Sequence, residues 1–105
     1  MFHAQLRLAT EMLPEGVGLV AAEGYMNAEA GEAIVNAARR LMAKGCSRLR
    51  IDLEGTRLVN RHGLSSLVTL QQEVARRGGC LAFRNLSATL TTTFRVVGLT
   101  GEVKS

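Results

Sequence analysis

The 105-residue sequence predicts one α/β domain, in which a mixed β-sheet carries helices packed on it. Three observations lead to this fold class: two apolar segments with a turn between them, strand-type alternation that follows helix-type periodicity, and glycines at the ends of the helical segments. The predicted element order is β-β-α-β-α-β-α, because strands that alternate with helices after a hairpin form a mixed sheet. Residues 1–105 are predicted to form a single domain, since a chain of this length holds one hydrophobic core.

The first predicted elements are strands over residues 4–10 and 17–24, joined by a Leu-Pro-Glu-Gly turn. Residues 28–44 then place apolar side chains three and four apart, which predicts a helix with one apolar face. Asn27 is the predicted cap of this helix, and Gly45 is its predicted left-handed stop.

The rest of the chain continues the alternation of predicted strands and helices. Residues 48–53 alternate with a period of two, which predicts a strand that buries one face. Residues 80–83 are predicted to form the next strand, and a short strand is expected at Glu102-Val103. Asn60 and Ser87 are predicted to cap the second and third helices. The predicted buried positions are Leu49, Ile51 and Leu53 in the strand, Leu64, Leu67, Val68, Leu70, Val74 and Ala75 in the second helix, and Leu90, Phe94 and Val97 in the third.

The charges are divided unevenly along the chain. Residues 1–32 carry one base and five acids, a net charge of −4, whereas residues 33–105 carry twelve bases and four acids, a net charge of +8. We therefore expect one end of the fold to be acidic and the other basic. No nucleic-acid partner is predicted, because the arginines are scattered and the chain has only four aromatic residues and no tryptophan.

The sequence contains no pattern typical of a catalytic site. No phosphate-binding or nucleophile motif occurs, and His3 and His62 have no nearby ligand at metal-binding spacing. We therefore predict no enzyme activity, no metal and no cofactor. Asp52 and Glu54 are expected to pair at the surface with the arginines of the same strand, Arg48 and Arg50.

The predicted location is the cytoplasm. The sequence has neither a secretory signal nor a segment suited to membrane insertion. Cys46 and Cys80 are interpreted as reduced thiols, and the sequence leaves open whether they lie close together.

A short motif connects the chain to a known family. Residues 51–67 run from an apolar strand with Asp-Leu, through a loop, into a helix that opens with Asn60-Arg61-His62-Gly63-Leu64. This segment resembles the STAS family, the anti-sigma factor antagonists and their relatives, in which Asp-Ser-x-Gly-Leu opens the helix. Gly24-Tyr25-Met26-Asn27 and Gly98-Leu99 resemble two further family motifs. The resemblance covers nearly the whole chain and implies a STAS-like mixed sheet of four to five strands. In a departure from the family pattern, the C-terminal helix is expected to be absent, because the sequence ends soon after Gly98-Leu99.

The resemblance also implies a function. It implies a non-catalytic regulatory module of bacterial signal transduction and transcription regulation that binds a protein partner, a kinase-like anti-sigma factor. The alternative is an accessory STAS subunit of a transporter, such as a phospholipid-trafficking ABC system, with the transporter ATPase as partner. Homodimer formation stays open in both cases. The partner-binding residues implied are Asn27, Asn60, Arg61, His62, Gly63 and Leu64.

Arg61 departs from the family pattern, because it stands where the relatives carry the serine that the partner kinase phosphorylates. The usual phosphorylation site is therefore lost. One interpretation is that the guanidinium binds a carboxylate or phosphate on the partner, and the other is that the side chain stands in a site no longer used. Ser65 and Ser66 are the remaining candidates for phosphorylation, and Ser66 is expected to be the more exposed.

Overall fold

The computed structural model of the chain describes residues 6–99 and the backbone of residues 102–104. The elements follow the predicted order, which confirms the α/β fold class. None of the described helices has the length and apolar composition that crossing a bilayer requires. The strands and α-helices are β1 (Arg7–Leu13), β2 (Val17–Glu23), α1 (Ala28–Ala43), β3 (Arg48–Gly55), α2 (Arg61–Arg76), β4 (Cys80–Arg84), α3 (Ala88–Val96) and β5 (Glu102–Lys104).

The strands form one mixed sheet in the order β1-β2-β3-β4-β5. β1 pairs antiparallel with β2, and the other neighbouring pairs are parallel. The connection between β1 and β2 is a single 3-10 turn over Pro14–Gly16, in which Glu15 and Gly16 have φ angles of 65° and 74°. The predicted hairpin is therefore confirmed, although its first strand extends to Leu13. Residues 4 and 5 of that prediction lie outside the described part of the chain.

The core lies on one face of the sheet. Each parallel connection moves one strand further in the same direction, so right-handed crossovers place all three helices on the same side. Leu49, Ile51 and Leu53 of β3 are at most 1% exposed, which confirms the predicted alternation. Phe83 of β4 meets Phe94 of α3 edge to face, with ring centroids 5.0 Å apart. The polar alternate residues of β3 therefore lie on the sheet face away from the helices.

Two predicted core positions are wrong. Ala75 is exposed, because Val74 takes the buried position in that turn and the next residue points about 100° away. Val97 is 40% exposed because α3 ends at Val96, and Leu99 fills the core after the turn.

The predicted pairing of the β3 acids with Arg48 and Arg50 is also wrong. Oδ1 of Asp52 accepts the backbone N–H of Glu54 at 2.9 Å, and its Oδ2 accepts Nδ2 of Asn85 at 3.1 Å. No ion pair within the described residues joins the acids and arginines of this strand. The carboxylate of Asp52 is therefore occupied by a local backbone amide and by the side chain of the residue that follows β4.

Candidate partner-binding site

The loops that follow β2 and β3 lie side by side and are joined by their backbones. The N–H of Met26 donates to the carbonyl of Leu58, and the N–H of Asn60 donates to the carbonyl of Met26, both at 2.9 Å. Met26 and Val59 thus form an isolated parallel bridge beyond the ends of the strands. The starts of α1 and α2 are therefore held in one relative position by main-chain hydrogen bonds.

Asparagine side chains cap both of these helix starts, as predicted. Oδ1 of Asn27 accepts the N–H of Ala30 at 2.8 Å, and Oδ1 of Asn60 accepts the N–H of Gly63 at 2.9 Å. Each bond satisfies an amide that the helix itself leaves unpaired. The side-chain oxygens of the two asparagines are therefore occupied by the caps. Ser87 caps α3 in the same way, accepting the N–H of Leu90 at 3.1 Å.

Gly63 has a packing role at the junction. A Cβ atom at this position would lie 2.5 Å from the carbonyl oxygen of Met26, a distance that side chains do not tolerate. On α1, a Cβ at Gly31 would lie 2.7 Å from Cβ of Ser66. The two helices thus meet at small residues, and Leu64 packs into the core with only 7% of its surface exposed.

A different set of residues faces solvent here. Leu58 is 68% exposed and Tyr25 is 39% exposed, and Arg57, Arg61 and His62 are exposed beside them in the chain. We call these five residues the junction surface. Only Arg61 and His62 were predicted from the sequence. The sequence signal that was missed is the apolar pair Leu58-Val59. Val59 lies in the bridge to Met26, and neighbouring side chains of an extended segment point to opposite sides, so Leu58 points outward.

The two serines of α2 differ in exposure, and in the opposite sense to the prediction. Oγ of Ser66 donates to the carbonyl of His62 at 3.3 Å, and its Cβ lies against Gly31, so the side chain is half-buried. Ser65 is exposed. The expectation that Ser66 is the more exposed is wrong, because its side of α2 packs on α1.

The arginines of the junction surface have no acidic partner in the part of the chain that the structure describes. The ion pairs instead lie toward the helix ends: Glu73 of α2 binds Arg39 of α1 at 2.8 Å, and it binds Arg77, the C-cap of α2, at 3.3 Å. The hydrogen bond from Arg39 holds the pKa of Glu73 below its ordinary value. In return, this bond raises the pKa of Arg39. Among the described residues, no group of His, Cys, Asp and Glu side chains is arranged to hold a metal ion.

A mixed sheet covered on one face by three helices, with two capped helix starts joined at one end, is the architecture of a STAS-like domain. The family comparison agrees. Residues 4–104 match the family model described as "Mlab, STAS domain". The chain belongs to this STAS domain family. A search of curated proteins finds no match.

Solved structures share the fold at low sequence identity. The Bacillus cell fate determinant SpoIIAA in its phosphorylated form has a TM-score of 0.75 and 17% identity, over 94% of this chain and 91% of that one. An anti-sigma factor antagonist from Mycobacterium paratuberculosis has a TM-score of 0.78 and 19% identity, over 95% and 86%. The murine anion transporter Slc26a9 has a TM-score of 0.67 and 15% identity, over 93% of this chain but 19% of the transporter. At such identities the likeness shows the fold.

Proposed function

We propose that the chain is a non-catalytic regulatory module that binds a protein partner through the junction surface. The observation that carries this proposal is the pairing of the two loops, which fixes Leu58 and Arg61 on one rigid platform. On this platform an apolar side chain that is 68% exposed lies beside arginines without acidic partners, a combination that favours a docking site. The first candidate partner is a kinase-like anti-sigma factor, because SpoIIAA and the mycobacterial neighbour are named as anti-sigma factor antagonists.

Docking at this surface is proposed to be independent of phosphorylation at the usual site. Arg61 is the first residue of α2 and carries five N–H donors, which suit a carboxylate or a phosphate on the partner. A cation at a helix start costs about 0.3–1 kcal/mol when it lies near the helix axis. Because Arg61 is exposed, its side chain can extend away from the axis and reduce this cost.

The second candidate is an accessory subunit of a transporter, with the transporter's ATPase as partner. The structural likeness to part of the anion transporter Slc26a9 favours it, because it shows a domain of this fold within a transporter chain. Both candidates use the junction surface, so the identity of the partner separates them. A kinase-like anti-sigma factor recovered in the complex supports the first candidate, and a transport ATPase supports the second.

We further propose that the chain works in the cytoplasm. Cys46 is buried and Cys80 is exposed, and both are free thiols, which is the state that a reducing compartment maintains.

The test is affinity capture from the cell of origin, followed by binding measurements with the purified partner. Leu58→Asp and Arg61→Glu are each expected to weaken binding at least about tenfold, since they remove an apolar anchor and invert a charge. Arg95→Glu is the matched control, because it makes the same charge change on α3, at the far end of that helix. Retained affinity in both junction variants, or an equal loss in the control, would contradict the proposal.

A further inference from the structure

The end of the domain opposite the junction surface carries a concentration of basic side chains. The three helices run in the same direction, so their last turns meet the starts of β3 and β4 at one end of the sheet. Hydrogen bonds from Ser47 to Gly16 and from Cys80 to Ser47, both 2.9 Å, join the turns there. We define the basic end by its six exposed cations, which are Arg40, Lys44, Arg48, Arg76, Arg77 and Arg95.

These cations are mostly without acidic partners. In the described part of the chain, only Arg77 of the six takes part in an ion pair, with Glu73. Glu15, in the β1 to β2 turn, also lies at this end, and Glu102 is the first residue of β5, which runs parallel to β4. Acids are instead concentrated at the far end, close to the starts of α1 and α2, as Glu23, Glu29, Glu32, Asp52 and Glu54.

The helix dipole accounts for much of this arrangement, but not for all of it. A cation at the end of a helix is favourable; Arg40, Arg76 and Arg95 lie in last turns, and Lys44 and Arg77 are the C-cap residues of α1 and α2. Arg48, in contrast, begins a strand and is not part of a helix end. Folding therefore gathers at one end arginines that are scattered in the sequence, and the resulting field extends into solvent over about one Debye length.

Exposed aliphatic side chains accompany the basic end. Val96 and Val97, which follow Arg95 directly, are 79% and 40% exposed. Met12 lies beside the turn at the other edge of the sheet and is 51% exposed. No described aromatic residue lies at this end, since Phe83 and Phe94 are buried and Tyr25 belongs to the junction surface. Aliphatic groups among cations suit a lipid interface, whereas single-stranded nucleic acid is bound by stacking on aromatic rings.

We propose that the basic end adsorbs to the surface of a membrane that contains anionic lipids. The cations interact with lipid phosphates, and Val96 and Val97 enter the headgroup region without a spanning helix. In this orientation the junction surface points away from the bilayer and stays free for a protein partner. Each Lys or Arg near an anionic bilayer strengthens binding by roughly fivefold at low salt. Six such residues are sufficient for reversible adsorption.

The experiment measures co-sedimentation of the full chain with vesicles. One set of vesicles contains equal parts of phosphatidylglycerol and phosphatidylcholine, and the other contains phosphatidylcholine alone. Binding is expected with the anionic set only, and it should fall steeply as salt is raised because the charges are exposed. Absence of binding to anionic vesicles at low salt would overturn the proposal, as would equal binding to both sets.

Paired charge reversals locate the binding surface. The double variant Arg76→Glu, Arg95→Glu is expected to lose about a hundredfold or more in vesicle binding, because it removes four units of charge from the basic end. The double variant Arg57→Glu, Arg61→Glu has the same net charge and should bind vesicles like the unchanged chain. Equal losses in the two variants would overturn the proposal, because they would mean that total charge, and not the basic end, controls binding.

Two further measurements complete the test. Val96→Ser, Val97→Ser is expected to weaken vesicle binding severalfold while leaving the melting temperature nearly unchanged, since both residues are on the surface. Unchanged vesicle binding would contradict the role of the valines. A fluorescent single-stranded DNA serves as competitor. If this DNA binds the chain and displaces it from vesicles through Arg76 and Arg95 but independently of Val96 and Val97, the basic end is a nucleic-acid site and the proposal fails.

Discussion

The junction end and the basic end are both made where helices meet strands, yet they are built differently. At the junction, Met26 bonds to the backbone on both sides of Val59, asparagines cap both helices, and Gly63 touches the main chain. At the basic end, a Cβ atom added at Gly45 or Gly78 would meet nothing within 4 Å, whereas one at Gly79 would lie 2.6 Å from the carbonyl oxygen of Ser47. The junction surface therefore stands on close contacts throughout, and the basic end combines one close contact with open turns and exposed charge.

This difference predicts how the two ends respond to amino-acid substitutions. A surface that depends on contacts loses its shape when one buried atom is added, so single substitutions there should act strongly and locally. A surface that depends on the sum of exposed charges loses only a fraction of its field with each cation removed. The predictions that follow test this contrast from its largest expected effect to its smallest.

Gly63→Ala is expected to have the largest effect on stability. The new methyl group would lie 2.5 Å from the carbonyl oxygen of Met26, which is backbone and cannot rotate away. The free energy of unfolding, measured by urea denaturation, should fall by about 3 kcal/mol, the upper part of the range for overpacking.

Gly78→Ala is the matched substitution at the basic end. Its φ angle is +73°, so alanine pays only the cost of the left-handed conformation, about 1 kcal/mol. The same unfolding measurement applies to both variants. A loss at Gly78 as large as the loss at Gly63 would show that contacts do not distinguish the two ends.

Asn60→Ala should have an intermediate effect. Removal of the cap leaves the N–H of Gly63 without its partner, which costs about 1 kcal/mol in the free energy of unfolding. Asn60→Asp is the matched control, because aspartate keeps the acceptor and places a negative charge at the helix start. At the basic end, Lys44→Ala removes a cation and no side-chain cap, so a change of less than about 0.5 kcal/mol is expected. Similar losses for Asn60→Ala and Lys44→Ala would contradict this ordering.

The sequence predicted the parts of the fold that local signals determine. The alternation through Leu49, Ile51 and Leu53 predicted β3, and the caps Asn27 and Asn60 predicted where α1 and α2 begin. Each of these signals lies within a few residues of the feature that it specifies. Arg61 and His62, in contrast, were predicted as site residues through the resemblance to the STAS family, and the cap Asn60 marks where their helix begins.

The remaining features depend on contacts between distant segments. Leu58 faces outward because the backbone of its loop pairs with Met26, and no local pattern in the sequence specifies that pairing. Ser66 is covered because Gly31 lets α1 approach α2. The periodicity of α2 alone could therefore not predict which of the two serines is the more exposed. The basic end forms only when parallel connections bring the last turns of the helices together, which is why its arginines looked scattered.

Glu73→Gln should have the smallest effect on stability, and it connects the fold to the charge of the basic end. The pKa of Glu73 is held below its ordinary value in the folded chain by the hydrogen bond from Arg39. A lowered folded pKa means that the stabilising contribution is complete above the ordinary pKa and is lost as the pH falls through the folded value. Urea denaturation over a pH series should therefore give a higher free energy of unfolding for the unchanged chain than for the variant at neutral pH. The difference between the two should disappear in acid.

The same substitution should act in the opposite direction on vesicle binding. Loss of this carboxylate frees Arg39 and Arg77 and adds one unit of positive charge beside the basic end. Adsorption to phosphatidylglycerol vesicles at neutral pH should therefore become stronger, by roughly fivefold if the freed charge lies near the surface. Lower stability with stronger adsorption would show that Glu73 stabilises the contact between α1 and α2 and, at the same time, reduces the positive charge near the basic end. A decrease in both stability and vesicle binding would contradict this expectation. It would mean that vesicle binding depends on the packing of α1 against α2 as well as on exposed charge.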